Sequence, residues 1–118
     1  MKNQPFFRKL SNACAGIRFA WSVERNFRAE GVLGLATIGV FAVVRPAALW
    51  WALIVLCMAL VFVMELANSA IEALADHLHP EMHPIIGRVK DMLAGMVLVM
   101  CCGSVMVALL ALYDTLKK

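Results

Sequence analysis

Residues 47–76 read AALWWALIVLCMALVFVMELANSAIEALAD, and this stretch decides the fold. Its first eighteen residues, Ala47 to Met64, carry no charge, which meets the length rule for a helix that spans a membrane. The helical pattern does not stop at Met64. It runs on through Glu65, Asn68, Glu72 and Asp76 to about residue 79, with neither Gly nor Pro inside. The reading is one long helix, a span over about 47–66 that emerges from the bilayer and becomes polar along one side.

The polar side is narrow. Glu65, Asn68, Glu72 and Asp76 are spaced i, i+3, i+7 and i+11. At about 100° per residue they fall at about 0°, 300°, 340° and 20°, a stripe of about 80°. The residues between them are mostly Leu, Ile and Ala. Like charges stacked on a helix face repel, and carboxylates near a bilayer are costly unless they meet a partner or a water-filled site. A divalent cation is an economical partner, because hard cations take carboxylate and amide oxygens. The plainer reading, a solvated acidic face beyond the membrane, accounts for Asp76 but poorly for Glu65, which directly follows the apolar run.

Working outward, Gly31 to Val44 is a shorter apolar run ended by Arg45-Pro46, and Met92 to Tyr113 is a third run long enough to span. Spans are expected over about 28–45 and 91–113, with a loop over roughly 79–89. Residues 1–30 are polar and basic, and Leu10, Ala13, Cys14, Ile17, Ala20 and Trp21 recur at helical steps. That predicts an amphipathic helix over about 6–27 lying on the membrane surface, rather than a signal peptide. The whole of 1–118 then reads as a single membrane-embedded domain, all-α, with three transmembrane helices and a surface helix.

Composition agrees. Of 118 residues, 63% are hydrophobic and 16% charged, and mean hydropathy is +0.81. A soluble domain averages about 25% charged residues, and a small one needs polar residues to cover its large surface. Disorder, a collagen-like chain and a disulfide-rich scaffold are excluded. A net charge of +3 gives no reason to expect nucleic acid as a partner. Cys14, Cys57, Cys101 and Cys102 match no zinc spacing. The basic residues set the orientation. Lys2, Arg8, Lys9, Arg18, Arg25, Arg28, Arg88 and Lys90 fall on one side; Arg45, Lys117 and Lys118 fall on the other. The N-terminus and the loop between spans two and three are therefore expected in the cytoplasm, on the side where ATP is available.

Two further clusters stand on that side. Arg88-Val89-Lys90-Asp91 is an ordinary basic flank or, beside a carboxylate stripe, a Lys–Asp pair able to bind phosphate and help hold a metal. Glu24-Arg25-Asn26-Phe27-Arg28-Ala29-Glu30 is helix surface charge with an i,i+4 Glu24–Arg28 pair, or a further source of carboxylates. His77, His79 and His83 read as surface-loop histidines. No P-loop, GxGxxG or GxSxG occurs. A small transporter or channel subunit with an acidic ion path is the non-enzyme alternative; only Thr37 and Ser104 offer polarity at mid-depth of spans one and three.

Glu65-x-x-Asn68-Ser69-Ala70-Ile71-Glu72-x-x-x-Asp76, followed by Lys90-Asp91 in a three-span chain of this length, resembles the bacterial integral-membrane diacylglycerol kinases, a family that also includes undecaprenol kinases. The resemblance covers about Phe7 to Leu112. It implies a homotrimer with shared active sites in the bacterial inner membrane, transferring the γ-phosphate of Mg-ATP to a membrane lipid hydroxyl at the cytoplasmic interface. It further implies Glu65 as general base, Glu24 and Glu72 as Mg²⁺ ligands and part of the ATP site, and Asn68, Asp76, Lys90 and Asp91 lining the nucleotide and phosphate site. Glu30, with Glu65, falls at the lipid site. Glu30-Gly31 resembles the diacylglycerol kinases, whereas Gly16-Ile17-Arg18 and Glu24 to Arg28 look more like the undecaprenol kinases, which usually carry His at position 30. Diacylglycerol is the expected lipid and undecaprenol the alternative.

Overall fold

A computed structural model describes residues 5–78 and 83–117. Lys2, His79 and Lys118, which entered the charge and histidine readings, lie outside the described residues. Four helices follow one another: α1 (Phe6–Val23), α2 (Arg25–Val44), α3 (Ala48–Leu78) and α4 (Pro84–Leu116). The chain is all-helical in its described elements, and α2, α3 and α4 are long and apolar enough to cross a membrane. Their large side chains face outward, Leu35 at 72% and Val43 at 82% exposure among them. That inside-out pattern suits a lipid solvent, in which apolar surface is not penalised.

The surface helix ends four residues earlier than its periodicity indicates. Glu24 adopts an extended conformation, φ −102 and ψ 109, and separates α1 from α2. Three contacts across the corner explain the break. Arg28 donates from Nη1 to the carbonyls of Trp21 (2.8 Å) and Ser22 (3.1 Å), which have no partner inside α1. Phe27 is 4% exposed and packs edge-on against Trp21 and Phe62. Trp21 in turn lies over Gly31, where an added Cβ would stand 2.6 Å from the indole ring. Arg28 therefore caps the end of α1 and does not form the expected Glu24–Arg28 pair.

The turn from α2 to α3 is tight. Arg45 takes the left-handed conformation, φ 59 and ψ 61, and its N–H bonds the Phe41 carbonyl at 2.9 Å. Pro46 follows and cannot continue the helix. α3 and α4 then run antiparallel as the longest pair of the bundle. The start of α3 and the end of α4 lock around Phe41, Ile54 and Ala111, which are 2%, 3% and 0% exposed. Trp50 Nε1 donates to Asp114 Oδ2 at 2.8 Å across the same end. α4 begins at Pro84, seven residues before the expected span, because His83 caps it through Nδ1, accepting from Ile85 N at 3.1 Å. The expected loop over 79–89 is correspondingly shorter.

Candidate functional site

α3 carries the site because it is continuous from the tightly packed end at Ala48 to the polar end at Leu78. Glu65 lies where its apolar run stops and is 6% exposed, the one charged side chain buried among the described residues. Its electrostatic neighbours are Glu30 and Glu24 from the corner and start of α2, and Glu72 one level further along α3. The corner at Glu24 thus has a consequence for the site. Glu24 is the corner residue itself, while Glu30 is carried by α2, which packs against α3 through Phe27 and Phe62. Asn68, one turn beyond Glu65, has a buried Oδ1 with no hydrogen-bond partner among the described residues. Glu24, Glu30 and Glu72 are half-buried.

Further out, Lys90 Nζ donates to Asp76 Oδ1 at 2.7 Å. The bond pairs the Lys90 ammonium directly with the carboxylate. Both side chains are exposed, at 40% and 62%, and a pair so open adds little to stability. Its effect is positional, since it fixes a cation at the Asp76 end of the acidic stripe. An ammonium has three donors and can hold an anion without releasing Asp76. Asp91 is exposed, and no side-chain contact of it joins the cluster. The spacing of the stripe along α3 is about 4.5 Å from Glu65 to Asn68, about 10 Å to Glu72 and about 16 Å to Asp76.

No group of three His, Cys, Asp or Glu residues able to enclose a metal ion occurs among the described residues. Mg²⁺ on a nucleotide needs less, commonly one or two carboxylates with phosphate oxygens and water completing the octahedron. Glu24 and Glu72, both neighbours of Glu65 and without an ion-pair partner among the described residues, fit that requirement in kind.

Two hollows adjoin the cluster. One of about 330 Å³ lies between α2, α3 and α4, with Glu30 at its inner end and Leu33, Gly34, Met58, Val61 and Val105 among its walls. The other, about 460 Å³, lies between α1 and α3, with Glu24, Ser69 and Ala73 on its lining. Of the residues expected at the site, Glu24, Glu30 and Glu72 lie within electrostatic range of Glu65, and Asp76 joins Lys90. Cys101 is an addition that sequence reasoning passed over. It walls the first hollow and is an electrostatic neighbour of Glu30 and Glu65, where the sequence offered only an apolar run around it.

A sequence profile of the prokaryotic diacylglycerol kinases matches residues 11–112 of this chain. The diacylglycerol kinase of Escherichia coli (strain K12) is 38% identical over 84 residues, 71% of this chain and 69% of that protein. The diacylglycerol kinase of Helicobacter pylori (strain J99) is 35% identical over 86 residues, 73% of this chain and 67% of that protein. The undecaprenol kinase of Bacillus subtilis (strain 168) is 31% identical over 105 residues, 89% of this chain and 85% of that protein.

Proposed function

The chain belongs to the prokaryotic diacylglycerol kinase family and is a lipid kinase, and we propose that its reaction is transfer of the γ-phosphate of Mg-ATP to the free hydroxyl of diacylglycerol, giving phosphatidic acid at the cytoplasmic face of the bacterial inner membrane. The observation that carries this reading is Glu65, a buried carboxylate at the point where the α3 apolar run ends, with three acidic neighbours. Phosphoryl transfer needs in-line positioning and charge neutralisation more than covalent help from protein.

Glu65 accepts the hydroxyl proton as the lipid oxygen attacks the γ-phosphorus, and ADP leaves on the opposite side. Glu24 and Glu72 would hold Mg²⁺, which neutralises phosphate charge when bound. Lys90, fixed by Asp76, contacts the phosphates, and Asn68, Asp76 and Asp91 line the nucleotide site. Glu30 lines the lipid site beside Glu65, at the end of the hollow between α2, α3 and α4. The 10 Å or so between Glu65 and Glu72 along α3 separates the lipid hydroxyl at the membrane level from the metal and phosphates at the aqueous level.

The working form is a homotrimer with shared sites. Gly39, Gly95 and Gly103 support it, because nothing within 4 Å would meet a Cβ there, and such bare backbone lets a second copy approach closely in lipid. Undecaprenol is the second reading, favoured by the longer match, 89% of this chain, to the Bacillus subtilis enzyme. The ion-path reading gains nothing from the mid-depth hydroxyls. Thr37 donates to the Leu33 carbonyl and Ser104 to the Met100 carbonyl, so both are spent within their own helices.

One experiment tests the proposal. Purified protein in mixed micelles receives Mg-ATP with dioleoylglycerol or undecaprenol, phosphorylated lipid is quantified, and native mass is taken on the active sample. Faster turnover of dioleoylglycerol by a species of three chains is expected. Faster turnover of undecaprenol overturns the choice of lipid, and an active monomer overturns the trimer.

A further inference from the structure

Among the residues given to the site above, Glu24 alone stands between helices, extended at φ −102 and ψ 109. Its backbone is tied on each side. The Glu24 N–H donates to the Ala20 carbonyl at 2.8 Å, which closes α1. The Glu24 carbonyl accepts from the Arg28 N–H at 3.3 Å, which opens α2. That second bond is long for an N–H···O contact, so the backbone alone makes a weak joint. The Arg28 side chain adds two bonds to it. Its Nη1 donates to the Trp21 carbonyl at 2.8 Å and to the Ser22 carbonyl at 3.1 Å. Arg28 thus grips the chain on both sides of Glu24, with its backbone after the corner and its guanidinium before it.

Aromatic packing does a different job at the same corner. Phe27 meets Trp21 and Phe62 edge-on, which sets how α2 lies against α1 and α3. Those contacts are between rings, whereas the last carbonyls of α1 are bonded by Arg28. The clasp also keeps the guanidinium away from the Glu24 carboxylate. A basic residue four positions after an acidic one on a helix ordinarily pairs with it, and such a pair would compete with a metal ion for the carboxylate oxygens. Here the N–H groups of Nη1 go to carbonyls instead, and Glu24 forms no ion pair among the described residues. The guanidinium is always charged and sits at the negative end of the α1 dipole, where a cation is favoured. The same side chain therefore fixes the Glu24 backbone and leaves the Glu24 carboxylate unclaimed.

We propose that Arg28 is a positioning residue for the metal site: by bonding the last carbonyls of α1 it fixes the corner at Glu24 and holds the Glu24 carboxylate open to a nucleotide-bound divalent cation. This rests on the reading of Glu24 as a metal ligand and adds the residue that keeps it in place. The test measures binding without turnover. Mn²⁺, which suits the same oxygen ligands as Mg²⁺, is titrated into the full chain in micelles with saturating β,γ-imido-ATP, and free Mn²⁺ is read by electron paramagnetic resonance. Wild type is compared with Arg28→Met, Arg28→Lys, Glu24→Ala and the combined Glu24→Ala/Arg28→Met. Arg28→Met keeps an apolar stem and removes every donor, and is expected to weaken Mn²⁺ binding at least fivefold. Arg28→Lys keeps a cation with donors for the same carbonyls and is expected to stay within twofold of wild type. In the Glu24→Ala background, Arg28→Met is expected to cost less than a further twofold, because its effect runs through Glu24. A residue that only stabilised the fold would lower the thermal midpoint and leave the Mn²⁺ affinity of the folded protein unchanged. Wild-type affinity in Arg28→Met, an Arg28→Lys variant no better than Arg28→Met, or an equal loss in both backgrounds overturns the proposal. Should Arg28→Met fail to fold, Arg28→Gln, whose neutral amide ends short of the guanidinium, takes its place under the same criteria. Wild-type affinity in Glu24→Ala overturns the metal reading and the clasp with it, whereas a weakened Glu24→Ala beside an unaffected Arg28→Met overturns the clasp alone.

Discussion

Replacing Glu65 by Gln should move activity and stability in opposite directions. The change keeps the shape of a side chain that is 6% exposed and removes its charge and its basicity. As a general base, Glu65 contributes a factor of about 10²–10⁴, or about 2.7–5.4 kcal/mol of barrier at about 1.36 kcal/mol per decade. Stability shifts the other way because Glu30, Glu24 and Glu72 all act on this carboxylate. Glu72 alone stands about 10 Å along the helix. At an effective dielectric of about 20 that pair costs about 1.7 kcal/mol unscreened, and physiological salt reduces it to roughly 0.5 kcal/mol where water reaches the pair. Glu24 and Glu30 add in the same sense. Glu65→Gln is therefore expected to lose at least a hundredfold in kcat while its thermal midpoint in ATP-free micelles rises. Turnover above a tenth of wild type would remove the base assignment. A lower midpoint would show that Glu65 holds the fold through a partner and is not destabilised by its neighbours.

The metal ligands follow the same logic: Glu24→Ala and Glu72→Ala each raise the Mg²⁺ concentration for half-maximal rate, and their combined effect is less than the sum because they share one ion, whereas additive losses at unchanged Mg²⁺ dependence would separate them. Trp50→Phe and Asp114→Ala, tested as a double-mutant cycle by unfolding in micelles, should show a coupling of about 1 kcal/mol, below the 1.5–3 or so of a hydrogen bond to a charged group because such bonds average less in membranes. Turnover should stay within twofold, since Trp50 is about 22 Å from Glu65 along α3. Arg45→Gly should stabilise the chain by about 1 kcal/mol, because the left-handed conformation at φ 59 costs an L-residue about 1–2 kcal/mol; a lower unfolding midpoint would show that the Arg45 side chain has a role of its own. Glu30→Ala should lower diacylglycerol phosphorylation at least tenfold and undecaprenol phosphorylation less, with equal losses on both pointing to a general role.

The sequence made α3 legible because its signal is local. A charge-free run, an unbroken helical period and four polar residues on one face all lie within thirty residues. The corner at Glu24 was not legible. Its cause is three contacts made only after folding, from Arg28 to the ends of α1 and from Phe27 and Gly31 to Trp21. Periodicity runs through the corner because the residues on both sides favour helix. The early start of α4 could have been read from His83-Pro84, an N-cap followed by proline at the first helical position, had Gly87 not resembled a loop residue. Trp50 and Asp114 are 64 residues apart, and nothing in the neighbourhood of either points to the other. The site divides the same way. The residues on α3 are fixed by spacing, while the placing of Glu24 depends on the corner and that of Glu30 on the packing of α2 against α3.

The two ends of the bundle answer to different requirements. At one end, Phe41, Ile54 and Ala111 are almost fully enclosed, and the Trp50–Asp114 bond ties the start of α3 to the end of α4. Toward the other lie two hollows, the buried Glu65 with three carboxylates in electrostatic range, and a buried amide oxygen with no partner among the described residues. Packing in a bilayer depends on close van der Waals contact and a few polar ties, so stability gathered at one end of a rigid helix holds its other end in place. α3 is such a helix, continuous for 31 residues without Gly or Pro. The electrostatic cost that Glu24, Glu30 and Glu72 place on Glu65 is then carried by packing elsewhere in the bundle, and in the reaction proposed above a bound cation would relieve it. Loosening the cluster, by Phe41→Ala for example, should therefore lower the unfolding midpoint in micelles; an unchanged midpoint would show that the cluster does not hold α3 in place.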